Sequence, residues 1–387
     1  MTGGGARAAY QAGVLSGILQ VLDPDSAPGF RNPFDIICGT SAGAINAAAL
    51  ACRAHRPHQA VNHLCALWQA LHTNDVYYSD APRLMRTGLQ WVAMLTLGWL
   101  RPQWSRLAPH SFLDNQPLAR LLGQTLNFSR LNTNLQRGHL QAVAITAAAY
   151  TTGEHLTFYQ ARGGIMPWTR TLRRAVACQI GVDHLLASSA IPFVFPARAI
   201  LLGDRTVWCG DGSMRQLAPI SPAIHLGAQR IFVIGTNYRD ETQPGIRELS
   251  PQYPSLAQIA GHTLSNIFLD GVSADMERLE RVNELLARIP PNGLKSESLR
   301  PIHTLMIAPS QSLDEIALAH LAELPRAVQT LFRVLGVSSR KIEPGGGALA
   351  SYLLFESGYT KDLIALGRAD SMNRADEIIA FFKEWSA

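Results

Sequence analysis

Apolar positions recur along this chain in two rhythms, one helical and one extended. Tyr10, Val14, Leu15, Ile18, Leu19 and Leu22 fall at helical spacing, and Asp23-Pro24 stops that helix. Residues 34–38 form a short apolar run containing two β-branched isoleucines, the pattern of a buried strand. The Ala-rich stretch 44–54 has high helix propensity and ends before Pro57. Val61, Leu64, Cys65, Trp68 and Leu71 share one face of a helix over 57–73. A further helix is expected over 111–126, with Ser111 or Asp114 as cap. Residues 140–148 read as a strand, and 151–159 as a turn and a second strand around Gly153. A short helix over 182–189 runs into a loop fixed by Pro192 and Pro196, which is expected to form a rigid wall. Residues 206–209, 230–235 and 302–307 read as short strands, and 254–286 as a long helix. Helices dominate from Leu313 onward, and the glycine run at 345–347 reads as a hinge before a helix at Ala348.

Composition narrows the class. A chain of 387 residues, 47% hydrophobic and 16% charged, holds one large domain or two modest ones and a sizeable core. Its net charge of +5 is a mild excess, compatible with anionic membrane surfaces. Lys and Arg are scattered and no nucleic-acid motif is present, so nucleic acid is not an expected partner. The five cysteines are odd in number, far apart and without Cys-x-x-Cys spacing. They read as reduced thiols of a cytosolic-type compartment. No apolar leader segment is visible and no run reaches the roughly 18 apolar residues of a membrane span.

The chemistry-bearing stretch is Gly39-Thr40-Ser41-Ala42-Gly43, where the strand at 34–38 turns at once into the Ala-rich helix. Gly-x-Ser-x-Gly in that setting reads as a nucleophile elbow, with Gly39 and Gly43 required by the tightness of the turn and Ser41 lifted above the sheet. Gly3, Gly4 and Gly5 open the first helix and offer several backbone N–H groups to one spot, a nest for an oxyanion or a phosphate. A P-loop is excluded because no Gly-Lys-Ser/Thr follows, and a dinucleotide fingerprint is disfavoured by Ala8 at the third glycine position. By itself the cluster reads as a flexible tail. A nest followed one βα unit later by a serine elbow is, however, the pairing that acyl transfer needs. Asp211 lies between Gly210 and Gly212 at a strand end, a tripeptide that alone signals a turn. Ser188 and Ser189 lack an elbow and read as helix-end hydrogen-bonding residues.

Taken together, GGGARAAYQAGVL (3–15), GTSAG (39–43) and DGS (211–213) resemble the patatin-like phospholipase family. So do ITAAAYTTGEHLTFY (145–159) and ASSAIPFVFP (187–196). The resemblance spans residues 1–237, and the segment 352–370 resembles the C-terminal end of bacterial members. It implies a three-layer α/β/α sandwich with a mostly parallel central sheet, a catalytic core at 1–237 and a mainly helical part at 238–387 packed on it. It also implies a Ser–Asp dyad, with Ser41 as nucleophile and Asp211 as base. The backbone amides of Gly3, Gly4, Gly5 and Ala42 would form the oxyanion hole. Arg7 becomes a candidate contact to a lipid phosphate, with a salt bridge at the surface as the equal alternative. The implied substrate is a phospholipid or another acyl lipid, with no metal and no cofactor, in a cytoplasmic protein that touches membranes peripherally. Two departures stand out: Ala8 replaces the usual glycine, and only Met1 and Thr2 precede the glycines where the family carries an apolar strand.

Two other readings compete. An α/β-hydrolase triad would draw its histidine from His225, His262, His303 or His320, but the residues before the elbow are too few for that fold's earlier strands. A non-catalytic member binding lipid or a protein partner is the other. The stretch 84–100, with Trp91 and Trp99, Trp104 just beyond and Arg86 and Arg101 at its borders, suits an interfacial segment or apolar lid. A helix packed over the core is its plainer alternative.

Overall fold

The structure, a computed structural model, describes residues 1–97, 110–214, 216, 218–238, 259, 262, 271–289, 299–335 and 346–383. Nine strands lie among the described residues: β1 Ile36–Thr40, β2 Ala142–Ala149, β3 His155–Ala161, β4 Thr169–Arg170, β5 Arg173–Ala177, β6 Arg198–Leu202, β7 Arg205–Asp211, β8 Arg230–Ile234 and β9 His303–Ile307. The helices of the first half are α1 Ala9–Leu22, α2 Ala42–Cys52, α3 Pro57–Ala70, α4 Thr73–Val76, α5 Ala81–Leu97, α6 Gln116–Thr125, α7 Phe128–Arg137 and α8 Val182–Ser188. Those of the second half are α9 Ser221–His225, α10 Gly271–Ala287, α11 Leu313–Ala319, α12 Arg326–Leu335, α13 Gly346–Leu353, α14 Ser357–Asn373 and α15 Ala375–Lys383. The expected helix over 254–286 is seen in its second half; Trp99 and Trp104 lie outside the described residues. Gly346 and Gly347 open α13 instead of preceding it as a hinge.

Strand β2 is the axis of the sheet. One of its edges pairs antiparallel with β3, from Ala142↔Ala161 to Ala148↔His155. Its other edge is shared by two strands placed end to end. β1 runs parallel to it from Ile36↔Ala142 to Thr40↔Thr146, and β7 runs antiparallel from Ala149↔Cys209 to Ala147↔Asp211. The α/β layering is as expected, while the pairing is mixed. β1–β2, β3–β5 and β8–β9 are parallel; β2–β3 and β6–β7 are closed by tight turns at 150–154 and 203–204, which only antiparallel neighbours permit.

Side chains of β2 alternate between the two faces, as a strand's period of two requires. Val143 and Ile145 enter the main core with α1, α2, α3, α6 and α7, whereas Ala142 and Ala144 pack with Tyr159 and Leu226 on the opposite face. That second face is covered by α9 and α10, where Ala223 and Val272 meet Ile231 and Val233. The C-terminal helices are part of the main core: Tyr352, Leu354, Tyr359 and Leu363 are buried in it. α14 lies against α1 at backbone contact, with the Tyr10 carbonyl 2.2 Å from where a Cβ on Gly367 would stand.

β8 and β9 stand apart from this sheet, and Met1 and Thr2 bridge the gap. The Met1 amine donates to the Cys38 carbonyl (2.9 Å), the Met1 carbonyl accepts from Thr40 N–H (3.2 Å), and Thr2 N–H donates to the Ile234 carbonyl (3.2 Å). The two residues are thus a short parallel link between β1 and β8, and they anchor the glycine loop that follows. Beyond them the facing edges of β1 and β8 flank a slot of about 580 Å³, lined by Ile36, Cys38, Ile231 and Phe232. Burial beside this slot pushes the Met1 amine below its usual range. An extension of about five apolar, β-branched residues placed before Met1 would remove that buried charge and continue both ladders. It is expected to raise the midpoint of thermal unfolding by at least about 2 °C, and the same extension with prolines at alternate positions is expected not to.

Candidate active site

The end-to-end meeting of β1 and β7 dictates the local geometry. Thr40 and Asp211 oppose Thr146 and Ala147, adjacent residues of β2. If β1 continued, Ser41 would collide with Asp211, so the chain must turn out of the sheet there. Ser41 does so with φ 54° and ψ −129°, a conformation that costs a non-glycine residue roughly 1–3 kcal/mol. The turn brings α2 back over β1 so closely that a Cβ on Gly39 would lie 2.3 Å from the Gly43 carbonyl. Residues 39–43 thus make a tight strand-to-helix turn, and a Cβ on Gly43 would likewise stand 2.4 Å from the Thr2 carbonyl.

The same turn points Ser41 at β7. Its Oγ donates to Asp211 Oδ2 at 2.7 Å, and Asp211 Oδ1 accepts from Ser213 N–H at 2.8 Å. Both residues are buried. Burial pushes the Asp211 carboxyl up to about 6, although the hydrogen bonds from Ser41 and Ser213 pull it down. A carboxylate so raised is a better proton acceptor than a solvated one near neutral pH.

The glycine loop reaches this point from the other side. Gly5 begins a 3-10 turn, Gly5–Ala8, with φ 55°, and a Cβ there would stand 2.2 Å from the Tyr352 carbonyl. Gly5 and Ala42 each open a helical segment, where the first N–H groups have no acceptor within the helix. Both line the same cavity as Ser41. Of the three glycines expected to face the site, Gly5 alone lines that cavity. Gly3 and Gly4 lie behind it, with their carbonyls taken up by Thr236 Oγ1 (2.7 Å) and Arg7 N–H (3.1 Å). Beneath the loop runs a buried relay: Trp68 Nε1 donates to Asn46 Oδ1, Asn46 Nδ2 to Gln11 Oε1 and the Ala8 carbonyl, and Gln11 Nε2 to the Thr2 carbonyl. Ala8 has ordinary right-handed dihedrals (φ −67°), so its methyl leaves the loop undistorted.

Arg7 does not fit the role of a lipid contact. Its guanidinium is buried and turned away from the cavity, donating to Ser351 Oγ (2.8 Å) and Asn237 Oδ1 (3.1 Å) and pairing with Asp314. It also lies 3.9 Å over the Tyr352 ring. A salt bridge is formed, but from a buried guanidinium and not at the surface as expected, and it acts as a strut between the glycine loop and the C-terminal helices.

No histidine is a hydrogen-bond partner of Ser41 among the described residues. His225 stacks on Trp168, His320 is held between Glu323 and Asp362, His303 begins β9, and His262 is exposed. The histidine near the site is His155, which pattern reading passed over as a strand residue. It is buried, burial pushes its pKa down, and its Nε2 donates to the Gly212 carbonyl at 2.9 Å. That bond braces the turn after Asp211.

From Ser41 a narrow cavity of about 70 Å³ runs between α2, α3 and α6, walled by Leu64, Trp68, Leu71, Leu118, Leu122 and Phe355. Ile191 and Phe195, from the loop fixed by two prolines, form another side. Between them Phe193 is exposed with φ 65°, and its carbonyl accepts from Phe112 N–H (2.7 Å). Trp91 of α5 stacks on Phe112 at 4.7 Å, while Met85, Leu89 and Val92 of α5 face solvent.

The structure thus brings together a strand-turn-helix serine, a buried carboxylate, an apolar cavity and a glycine loop. A family profile described as patatin-like phospholipase matches residues 1–224. That is more than half of the chain, and the chain belongs to the patatin-like phospholipase family. Its members are lipid acyl hydrolases. No curated protein matches the sequence.

The raised Asp211 carboxyl has a stability consequence. Its usual value is 3.8 and its folded value about 6, so above pH 6 the native state carries an ionised buried carboxylate at a cost. Below about pH 4 both states are protonated and the cost vanishes. Asp211→Asn is therefore expected to raise stability at pH 8, by at most about 3 kcal/mol, and to change it little at pH 4. Denaturant unfolding at the two pH values measures the difference.

Proposed function

We propose that the protein is a serine lipid acyl hydrolase acting on phospholipids or related acyl esters through Ser41 and Asp211. The observation that carries this reading is the 2.7 Å hydrogen bond from Ser41 Oγ to Asp211 Oδ2 at the mouth of an apolar cavity. Asp211 accepts the Ser41 proton as Oγ attacks the acyl carbonyl carbon. The negative charge that develops on the carbonyl oxygen meets the amides of Gly5 and Ala42, at the positive end of α2, with Gly3 and Gly4 shaping the loop that presents Gly5. Protonated Asp211 then gives its proton to the departing alcohol or lysolipid. Water gives a proton to Asp211 as it attacks the acyl-serine carbon; the C–Oγ bond breaks, Asp211 returns that proton to Ser41 Oγ, and the fatty acid leaves. The leucine-lined cavity suits the hydrocarbon tail of that acyl group. A member that only binds lipid is the weaker reading, because Ala8 leaves the loop undistorted and Met1 and Thr2 anchor it.

Ser41→Ala and Asp211→Asn are each expected to lower ester hydrolysis by at least about 10³-fold, and a fluorophosphonate is expected to label Ser41. The base must be ionised to accept a proton. Hydrolysis should therefore fall as pH drops through about 6, on an acid limb that a pH–rate profile with a soluble ester resolves.

Substrate delivery belongs to the same reading. Among the described residues, no helix is long and apolar enough to cross a membrane. Leu89, Val92, Phe112 and Phe193 form an exposed apolar set joined to the cavity wall through Phe195 and Ile191. This set is the face we assign to peripheral contact with a lipid surface. The double substitution Leu89→Ser with Phe193→Ser is expected to reduce co-sedimentation with phosphatidylglycerol vesicles several-fold, with the far-UV circular dichroism unchanged.

A further inference from the structure

The hydrogen bond between Ser41 and Asp211 spans two separate turns, and something must hold those turns in register. Where β1 and β7 meet end to end, neither supplies a partner for every backbone group at the junction. One side chain fills that gap. Ser188, the last residue of α8, is fully buried. Its Oγ accepts from the N–H of Ser41 at 2.9 Å and donates to the carbonyl of Thr146 at 2.6 Å. Its own carbonyl accepts from Gly212 N–H at 3.0 Å, and two residues on the Ala190 carbonyl accepts from Asp211 N–H at 2.9 Å. The end of α8 thus touches the elbow, the central strand and the aspartate turn at once.

We propose that Ser188 is a positioning residue for hydrolysis, fixing Ser41 Oγ and the Asp211 carboxylate at hydrogen-bond distance by tying both turns to β2. The proposal rests on the reading of Ser41 and Asp211 given above. Ser41 sits at φ 54°, away from any helical or extended well, so its backbone is held by its neighbours. Its N–H lies at the start of α2, where no intrahelical acceptor exists. Without the Ser188 hydroxyl that N–H and the Thr146 carbonyl both lose a buried partner, and the elbow is free to relax towards a less strained turn. The serine hydroxyl would then swing off Asp211, and a displacement of about 1 Å in a reacting group is worth roughly 10²-fold in rate. The Ser188 side chain neither lines the cavity nor bonds the glycine loop, so ground-state binding is expected to change little.

Steady-state hydrolysis of a soluble short-chain ester tests this. Ser188→Ala keeps the backbone bond to Gly212 and is expected to lower kcat by about 10- to 100-fold, with KM within about twofold of the parent. The rate of fluorophosphonate labelling at Ser41 should fall by the same factor. Ser188→Thr, which keeps the hydroxyl, should recover most of the loss. Ser371→Ala serves as the control for mere destabilisation. That hydroxyl is also fully buried, donating to the Val14 carbonyl at 3.1 Å between α14 and α1, and it does not line the cavity. It should lower the melting temperature comparably and leave kcat alone. A Ser188→Ala kcat within twofold of the parent overturns the proposal. So does an equal kcat loss in Ser371→Ala, or a change confined to KM. If Ser188→Thr does not fold, the comparison of the two alanine variants decides. A parent chain that neither hydrolyses the ester nor takes the label at Ser41 overturns the functional reading, and the proposal with it.

Discussion

Two strands running head-on along one edge of β2 are the constraint from which the site follows. β1 arrives at Thr146 and β7 at Ala147, from opposite directions. Neither can go further, so both chains must leave the sheet at the same place. Ser41 and Asp211 are the residues at which they leave. The left-handed dihedral at Ser41, the two glycines of the elbow and the tight Gly212 turn are consequences of this collision. So is the short distance between hydroxyl and carboxylate. A Cβ on Gly212 would stand 2.0 Å from the Thr146 carbonyl, which shows how little room the meeting leaves.

What could be read from the chain depended on how local the physics was. The elbow and the Asp-Gly turn are set by contacts within a few residues, and the sequence carries them as glycines at fixed offsets. The apolar run at 140–148 and the Ala-rich α2 are equally local. Partners distant in sequence left no trace. Arg7 stands in a glycine-rich segment that invites a surface role, and its acceptors Asp314 and Ser351 lie more than 300 residues away. The short strands β4 and β5 carry Arg170, Arg173 and Arg174 on the margin of the sheet, where no apolar alternation is needed and none is found. The mixed pairing of the sheet escaped for a related reason: apolar runs locate strands, but direction is decided by the connections between them. Ser188 and His155 became meaningful when the structure placed their polar atoms on the two turns.

The buried carboxylate and the strained serine both work against stability, and a large core offsets them. That core is continuous from α1 through α14, so the N-terminal and C-terminal halves of the chain share one apolar interior. The backbone contact of α14 with α1 and the Arg7 strut to α11 and α13 make the glycine loop a joint product of both halves. The family match at residues 1–224 thus covers Ser41 and Asp211 and not the full set of residues that hold them in place.

The Tyr352 carbonyl packed beneath Gly5 bears on how the protein is made. Synthesis runs from the amino end, and early segments begin to fold while later ones are still on the ribosome. Here the glycine loop waits for α11 and α13, because Tyr352, Ser351 and Asp314 must emerge before Gly5 and Arg7 have their supports. A nascent chain can therefore carry a formed serine elbow and still lack the finished cradle opposite it. Emergence of α11 and α13 is then the step that completes the packing around Gly5 and Arg7.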